Sequence, residues 1–370
     1  MKKGVKKTFP KELANDFGLP LTVSNLDEKE EPFVLKVLAD FEGGSLSSYS
    51  LKKLDEFNYK LFIKLRSDTN SSKPHLNWFF FKLLIRRTIR VEVEILGFYR
   101  ESTETDNIPE KANIVVNEVN SDPTKKIWRF VEGSVYERYM EGSYEMGSIK
   151  FGVNLERDAL IALSFPYTYS QLQSYLTQHE RKIFIKGIKE QNFETDVKQT
   201  TLKNSHISYV KKVVGSSVNG VPIFVIELNA SNFVERQVFL VEKLRRWKKK
   251  VLIIARLHPG DACTSYVVEG IMNFLFSDEN KAIFLLDFFE FYIFPMPNPD
   301  GVMMGNNRVN LVGKDLNNDW EQPSMGSEPE VVAMKEWMRK AGKLHFVIDL
   351  HANTKKHGKF YINKNCFYNG

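Results

Sequence analysis

Hydrophobic and polar residues alternate along the first half of the chain. In residues 60–65, three apolar side chains alternate with lysines and a phenylalanine, and residues 90–95 alternate with the same period of two. This period predicts β-strands with one buried face. Residues 77–84 are almost continuously apolar, which predicts a strand buried on both faces. Several short strands separated by turn residues predict an antiparallel β-sandwich over residues 33–165, preceded by a charged tail, residues 1–32.

The pattern changes after residue 165, where helical and strand-like segments alternate. A helix is predicted at 169–190, and Asn219-Gly220 predicts a hairpin turn between two apolar strands. A charged helix is predicted before the strand at 251–255, and further elements follow: helices at 264–276 and 329–340, and strands within 289–294 and at 345–350. Strands joined by crossover helices predict an α/β domain, residues 166–370, with a mixed, mostly parallel sheet.

Composition narrows the class of protein. The 370 residues carry a net charge of +6, well short of the basic character of nucleic-acid-binding proteins. The N-terminus lacks the apolar region of a secretory signal. The most apolar segment, residues 282–297, contains two acidic residues and two prolines, which excludes a membrane span there. Two cysteines form no disulfide framework, so we predict a cytoplasmic protein that binds neither membranes nor nucleic acids.

Two predicted strands end in residues that suit a metal site. His258 and Asp261 follow the strand at 251–255, and His351 follows the strand at 345–350. Ligands of open α/β sheets bind at the carboxyl ends of strands, and two histidines with one carboxylate form a known catalytic zinc set. A histidine after a strand is also a common structural residue, so both readings stay open at this point. Structural or surface roles are assigned to the other histidines: His75, His179, His206, His345 and His357.

Ordered motifs extend this pattern across most of the chain. They include HPGD at 258–261, NPDG at 298–301, NNR at 306–308, DLNN at 315–318 and IDLHA at 348–352. In this order they resemble the zinc carboxypeptidases, and more specifically the cytosolic carboxypeptidases that trim glutamates from tubulin tails. The resemblance covers roughly residues 33–365 and includes the sandwich domain. It implies a zinc-carboxypeptidase α/β domain that is incomplete at its C-terminal end.

The resemblance assigns roles to individual residues. His258, Asp261 and His351 match the ligands of one zinc ion. Arg308 matches the arginine that polarises the scissile carbonyl. Asn317 and Asn318 match the pair that grips the substrate's terminal carboxylate, and Lys314 is a further candidate for substrate binding. Glutamate-rich protein tails, those of tubulin above all, are the implied partners, and the cytoskeleton or the cilium is an implied location.

Three departures from the family pattern weaken the enzyme hypothesis. Asp261 stands where the family has glutamate, which shortens the side chain by about 1.5 Å. Asn318 replaces an arginine and cannot supply its charge. No general base is identifiable, because residues 352–370 contain neither Asp nor Glu. We therefore expect weak zinc binding and weak or absent peptidase activity.

Two hypotheses follow from the sequence. The first is a zinc metallocarboxypeptidase of the deglutamylase type. The second is a non-catalytic pseudoenzyme that binds acidic tails or forms part of a microtubule-based assembly. A basic cleft built from Arg308, Lys314 and the lysines that follow His351 (Lys355, Lys356 and Lys359) would attract such tails in either case.

Overall fold

A computed structural model describes residues 34–99, 114–119, 127–141, 144–187, 195–196, 199–203, 207–230, 248–318 and 320–352. The chain divides into two compact units. The first comprises Met1–Pro166 together with Met303–Gly313, and the second comprises Tyr167–Val302 and Lys314–Gly370. The sequence-based domains are contiguous, whereas here a segment late in the chain groups with the first unit. The predicted tail, the charged helix before residue 248 and the lysines after His351 lie outside the described residues.

The described residues of the first unit form ten strands. They are β1 (Leu35–Leu38), β2 (Ser48–Lys53), β3 (Asn58–Lys64), β4 (Phe80–Ile85), β5 (Ile89–Tyr99), β6 (Val115–Glu118), β7 (Arg129–Phe130), β8 (Val135–Glu141), β9 (Tyr144–Leu155) and β10 (Ala159–Ala162). They form two five-stranded sheets with the orders β1-β4-β10-β6-β7 and β2-β3-β5-β9-β8. The unit is therefore the two-sheet structure that the alternating pattern predicts.

One core joins the two sheets. Leu61, Ile63, Val91 and Val93 from the second sheet share a buried cluster with apolar residues of the first sheet, such as Phe81. The lysines that alternate with Leu61 and Ile63 remain partly exposed. The prediction of purely antiparallel pairing is wrong at one place, because β3 and β5 run parallel. They are not consecutive: β4 lies between them in the chain and belongs to the other sheet, so no tight turn imposes an antiparallel arrangement.

The second unit alternates helices and strands around one seven-stranded sheet. Its helices are α1 (Tyr169–Gly187), α2 (Ala262–Leu275), α3 (Asn280–Phe288), α4 (Pro299–Met303, whose last residue groups with the first unit) and α5 (Pro329–Ala341). Its strands are β11 (Thr195–Asp196), β12 (Gln199–Lys203), β13 (Ile207–Ser216), β14 (Pro222–Ala230), β15 (Lys249–Ala255), β16 (Phe289–Phe294) and β17 (Phe346–Leu350). Within the part of the chain that the structure describes, no helix is both long and apolar enough to cross a membrane.

The sheet of the second unit is mixed, but the prediction that it is mostly parallel is wrong. Its order is β11-β12-β13-β14-β16-β15-β17, and only the pairs of β15 with β16 and with β17 are parallel. The Asn219-Gly220 turn, with Gly220 at a φ of 79°, folds β13 back on β14 as an antiparallel hairpin. The pairing of β14 with β16 is also antiparallel. The three parallel strands are those whose ends carry the candidate chemistry.

The core of the first unit generates a stability prediction. Phe81 is fully buried between the sheets. Replacing it with alanine removes a large apolar side chain and leaves a cavity, so Phe81→Ala is expected to lower the free energy of unfolding by about 3–5 kcal/mol. Phe130→Ala is the matched control, because Phe130 is 55% exposed. Its expected cost is below about 1 kcal/mol. Urea unfolding measures both values, and equal losses for the two variants would contradict the assigned core.

Candidate metal centre

The register of three parallel strands places the candidate ligands at one edge of the second unit's sheet. Ala255, the last residue of β15, is paired with Leu350, the last residue of β17. His351 follows Leu350 directly, and His258 comes three residues after Ala255. The chain therefore delivers both histidines to the carboxyl edge of adjacent strands, as the sequence predicts.

The turn after β15 is shaped by its backbone. Arg256 has a φ of 58°, in the left-handed region that non-glycine residues rarely adopt. The carbonyl of Leu257 accepts a hydrogen bond of 3.0 Å from the side-chain amide of Asn298, which is fully buried. The same asparagine accepts a bond from the backbone N–H of Gly301. Asn298 thus fixes the backbone immediately before His258.

Asp261 stands at the N-cap position of α2, yet its side chain makes no capping hydrogen bond. Asparagine and aspartate at this position usually accept a bond from the first helical turn. Here the carboxylate is directed at the two imidazoles instead, with Oδ2 lying 3.2 Å from Nδ1 of His351 and 3.5 Å from Nδ1 of His258. Helix α2 therefore positions the carboxylate of Asp261, although this carboxylate does not cap the helix.

The three side chains converge on one point, as their places at strand ends predict. The two Nδ1 atoms are 3.1 Å apart, and one ligand atom from each of the three residues lies within 4.8 Å of the others. Ligands bound tetrahedrally at the usual zinc distances are separated by about 3.3–3.5 Å. The observed separations of 3.1, 3.2 and 3.5 Å match this edge length. The shorter aspartate still reaches the position of a ligand.

Two further carboxylates hold the outer nitrogens of the imidazoles. Nε2 of His258 lies 3.0 Å from Oδ1 of Asp315, and Nε2 of His351 lies 2.9 Å from Oδ2 of Asp349. An ionised carboxylate only accepts hydrogen bonds, so each Nε2 carries a proton, and in a neutral imidazole the Nδ1 then presents a lone pair. Carboxylate partners of this kind orient metal-binding histidines and raise their basicity. The donor set therefore fits a zinc ion.

The pKa shifts of Asp261 and His351 indicate that the site favours a positive charge. Burial alone would raise the pKa of Asp261, but hydrogen bonds with His258 and His351 outweigh it and lower the pKa to about 2. Burial alone would lower the pKa of His351, but Asp261 and Asp349 outweigh it and raise the pKa to about 9. In the protein without metal, a proton on His351 supplies the positive charge that this cluster favours.

The predicted substrate-binding residues have defined contacts within the second unit. The side-chain amide of Asn318 donates to Oδ2 of Asp315, and the backbone N–H of Asn317 donates to Oδ1 of the same carboxylate. Nζ of Lys314 lies 3.7 Å from Oε1 of Glu328, a residue that is almost fully buried. Asn318 thereby supports the carboxylate that holds His258. Its predicted role in gripping a substrate carboxylate stays a prediction.

Arg308, the predicted carbonyl polariser, belongs to the first unit, in the segment Met303–Gly313. Its backbone N–H donates to Oδ2 of Asp68 at 2.6 Å. Its side chain is partly buried. The three candidate ligands belong to the second unit.

Sequence reasoning missed several residues that shape the centre. It assigned no role to Asp349, although the spacing of two between Asp349 and His351 places both on one face of a strand. It used Asn298 and Asp315 only as parts of motifs. Arg256 carried no signal in the sequence. Its guanidinium is buried, which lowers its pKa to about 10, and it contacts Ser265 on α2.

The comparisons with known proteins agree with this geometry. The family model described as zinc carboxypeptidase matches residues 195–366. Cytosolic carboxypeptidase 6 of Caenorhabditis elegans is 27% identical over 341 residues, which are 90% of this chain and 64% of that protein. Cytosolic carboxypeptidase 6 of Mus musculus is 29% identical, over 88% of this chain and 54% of that protein. Cytosolic carboxypeptidase 1 of Homo sapiens is 28% identical, over 90% of this chain and 26% of that protein. The chain thus spans less than two thirds of the length of each of these relatives.

Solved structures share the fold. A metallo-carboxypeptidase from Burkholderia cenocepacia matches with a TM-score of 0.59 and 21% identity, covering 87% of this chain and 72% of that chain. A metallo-carboxypeptidase from Pseudomonas aeruginosa matches with a TM-score of 0.57 and 20% identity, covering 87% and 70%. The sequence matches and the solved structures lead to one conclusion: the chain is similar to the zinc carboxypeptidases in sequence and shares their fold.

Proposed function

We propose that this chain binds one zinc ion through His258, Asp261 and His351, and that it uses the centre to bind glutamate-rich protein tails, those of tubulin among them. The observation that carries the proposal is the spacing of the three donor atoms, 3.1 to 3.5 Å apart, with both outer imidazole nitrogens tied to carboxylates. Similarity to the zinc carboxypeptidase family supports zinc as the metal. The net charge of +6 supports an acidic partner.

The chemistry at such a centre is peptide hydrolysis. His258, Asp261 and His351 would hold the zinc ion, which would polarise a carbonyl and lower the pKa of a bound water. The residues of this chain orient that reaction: Asp315 and Asp349 keep the protons on the outer nitrogens, and Asn318 holds Asp315 in place. Arg308 is proposed, from the family resemblance, to polarise the scissile carbonyl.

We further propose that hydrolysis by this chain is slow. A general base contributes about 10²–10⁴-fold to such reactions. Asp315 and Asp349, the carboxylates hydrogen-bonded to the two imidazoles, are committed to those bonds. Binding without efficient cleavage is therefore the second candidate function, that of a pseudoenzyme in a microtubule-based assembly. Glutamate release distinguishes the two functions.

The metal proposal predicts a graded loss of zinc affinity in variants. His351→Ala removes a ligand and is expected to abolish binding at micromolar zinc. Asp315→Asn removes the acceptor that orients His258, and the expected loss is about 10- to 100-fold. Asp278→Asn, an exposed acid of the same unit, is the control and leaves affinity unchanged. Competition with a chromophoric chelator measures all of these affinities. Unchanged affinity in His351→Ala would show that zinc binds elsewhere.

The partner proposal predicts salt-sensitive binding of an acidic peptide. Lys314 is 48% exposed at its side chain and directly precedes Asp315. Lys314→Glu is expected to weaken binding of a polyglutamylated tail peptide more than Lys281→Glu, which changes the net charge equally at an exposed position on α3. Fluorescence anisotropy at about 0.01 M and about 0.15 M salt measures the affinities, since screening weakens surface attraction at the higher value.

The controls of this experiment separate the proposed functions. A glutamine peptide of equal length should not bind. Equal, negligible affinity of the acidic peptide at both salt concentrations would remove the tail-binding proposal. Steady release of glutamate, followed by mass spectrometry, would replace slow hydrolysis with an active carboxypeptidase.

A further inference from the structure

A late segment of the chain is anchored on the first unit by a short stretch between β3 and β4. Residues 66–70, which we call the anchor segment, contact residues 303–313 through side-chain hydrogen bonds. Arg66 donates to the carbonyl of Met304, and Asn70 donates to the carbonyl of Leu311 at 2.9 Å. The two segments are separated by more than 230 positions in the sequence, so this contact is purely tertiary.

Asp68 is the centre of this anchor. Its carboxylate accepts hydrogen bonds from three consecutive backbone N–H groups. The N···O distances are 2.6 Å for Asn307, 2.6 Å for Arg308 and 3.0 Å for Val309. Consecutive N–H groups that point at one anion form a strong anion-binding arrangement. The side chain is 6% exposed, and burial raises its pKa to about 6 against the opposing effect of the three bonds. Asp68 is therefore mostly ionised at neutral pH, with Arg66 as the nearby positive charge.

Asn306 locks the other side of the same turn. Its side-chain oxygen accepts bonds of 3.0 Å from both the backbone N–H and the hydroxyl of Thr69. Its amide donates to the carbonyl of Val309 at 3.1 Å. The residue is 1% exposed. The backbone on both sides of Arg308 is thus held by hydrogen bonds to buried polar side chains.

We propose that Asp68 is a positioning residue: it fixes the backbone at Arg308 so that the guanidinium is presented in one direction to an acidic tail. This inference rests on the proposed function of the chain. The simpler alternative is that Asp68 only satisfies three buried N–H groups and stabilises the segment. The two ideas differ in one respect, because a positioning residue acts through Arg308 and a purely stabilising one does not.

Hydrogen exchange tests the anchor without any activity. In Asp68→Asn one N–H group must face an amide NH₂ instead of an oxygen, and leaving a buried donor unsatisfied corresponds to about tenfold faster exchange. We expect this increase in peptides that contain residues 307–309, with strands β3 and β5 unchanged. Asp55→Asn is the matched control, since Asp55 accepts backbone bonds from Phe57 and Asn58 on the exposed surface of the same unit. Unchanged exchange at 307–309 in Asp68→Asn would overturn the proposal.

A double-mutant cycle separates positioning from plain stabilisation. Asp68→Asn is expected to weaken binding of the polyglutamylated peptide about tenfold in the wild-type background and to have almost no effect in the Arg308→Ala background. Equal effects in both backgrounds would overturn positioning while leaving tail binding intact. No peptide binding by the zinc-loaded wild-type protein, with normal exchange protection, would overturn the proposed function and with it this role of Arg308.

A milder variant covers the case in which Asp68→Asn does not fold. Thr69→Val removes only the hydroxyl bond to Asn306. It should speed exchange at 307–309 and weaken peptide binding in the same pattern, by a few-fold, with the binding effect again absent in the Arg308→Ala background. A binding effect that persists without Arg308 would count against positioning.

Discussion

The parallel register of β15 with β17 is the constraint on which the candidate centre depends. The pairing of Ala255 with Leu350 sets the relative positions of His258 and His351. A slip of one residue would turn the side chains of a strand to the opposite face. Residues 251–255 of β15 are all apolar and buried, and their packing in the core resists such a slip. Core packing of the sheet thus sets a distance of 3.1 Å between two nitrogens at its edge.

Much of the fold could be predicted because its strands and helices carry local signals. The period of two in β3 and β5 marks strands with one buried face, and Asn219-Gly220 marks a tight turn. Helix α3 was missed because it runs directly into β16 within one continuous apolar stretch, where periodicity does not separate helix from strand. The direction of the strands in the seven-stranded sheet of the second unit was predicted wrongly, because strand direction depends on long-range pairing rather than on local pattern.

The candidate site also combines features that the sequence predicts with features that it does not predict. His258, Asp261 and His351 stand at the ends of apolar runs, so their convergence could be predicted from the topology alone. The contacts that orient them connect distant parts of the chain: Asp315 lies 57 positions from His258. The anchor of Asp68 on Asn307 spans 239 positions. Nothing in a single sequence pairs such residues, because hydrogen-bond partners leave no periodic signal.

These contacts show that two of the residues that depart from the family pattern, Asp261 and Asn318, both contribute to the candidate centre. Asp261 is one methylene shorter than glutamate, yet its place at the head of α2 brings the carboxylate within ligand distance of both imidazoles. Asn318 replaces an arginine, and its amide donates to Asp315. The second replacement therefore supports the oriented imidazole of His258 in the same centre that accommodates the first.

The charge of the centre then connects the metal with the acidic partner. Asp261, Asp315 and Asp349 surround two imidazoles, so without a cation the cluster carries a negative charge that would repel a glutamate-rich tail at close range. In the protein without metal, the proton on His351 offsets one of the three negative charges, whereas a divalent ion would offset two. In the proposed function, metal binding and tail binding at this edge of the sheet therefore favour each other. Lysines elsewhere on the surface contribute long-range attraction, and the metal would reduce the short-range repulsion.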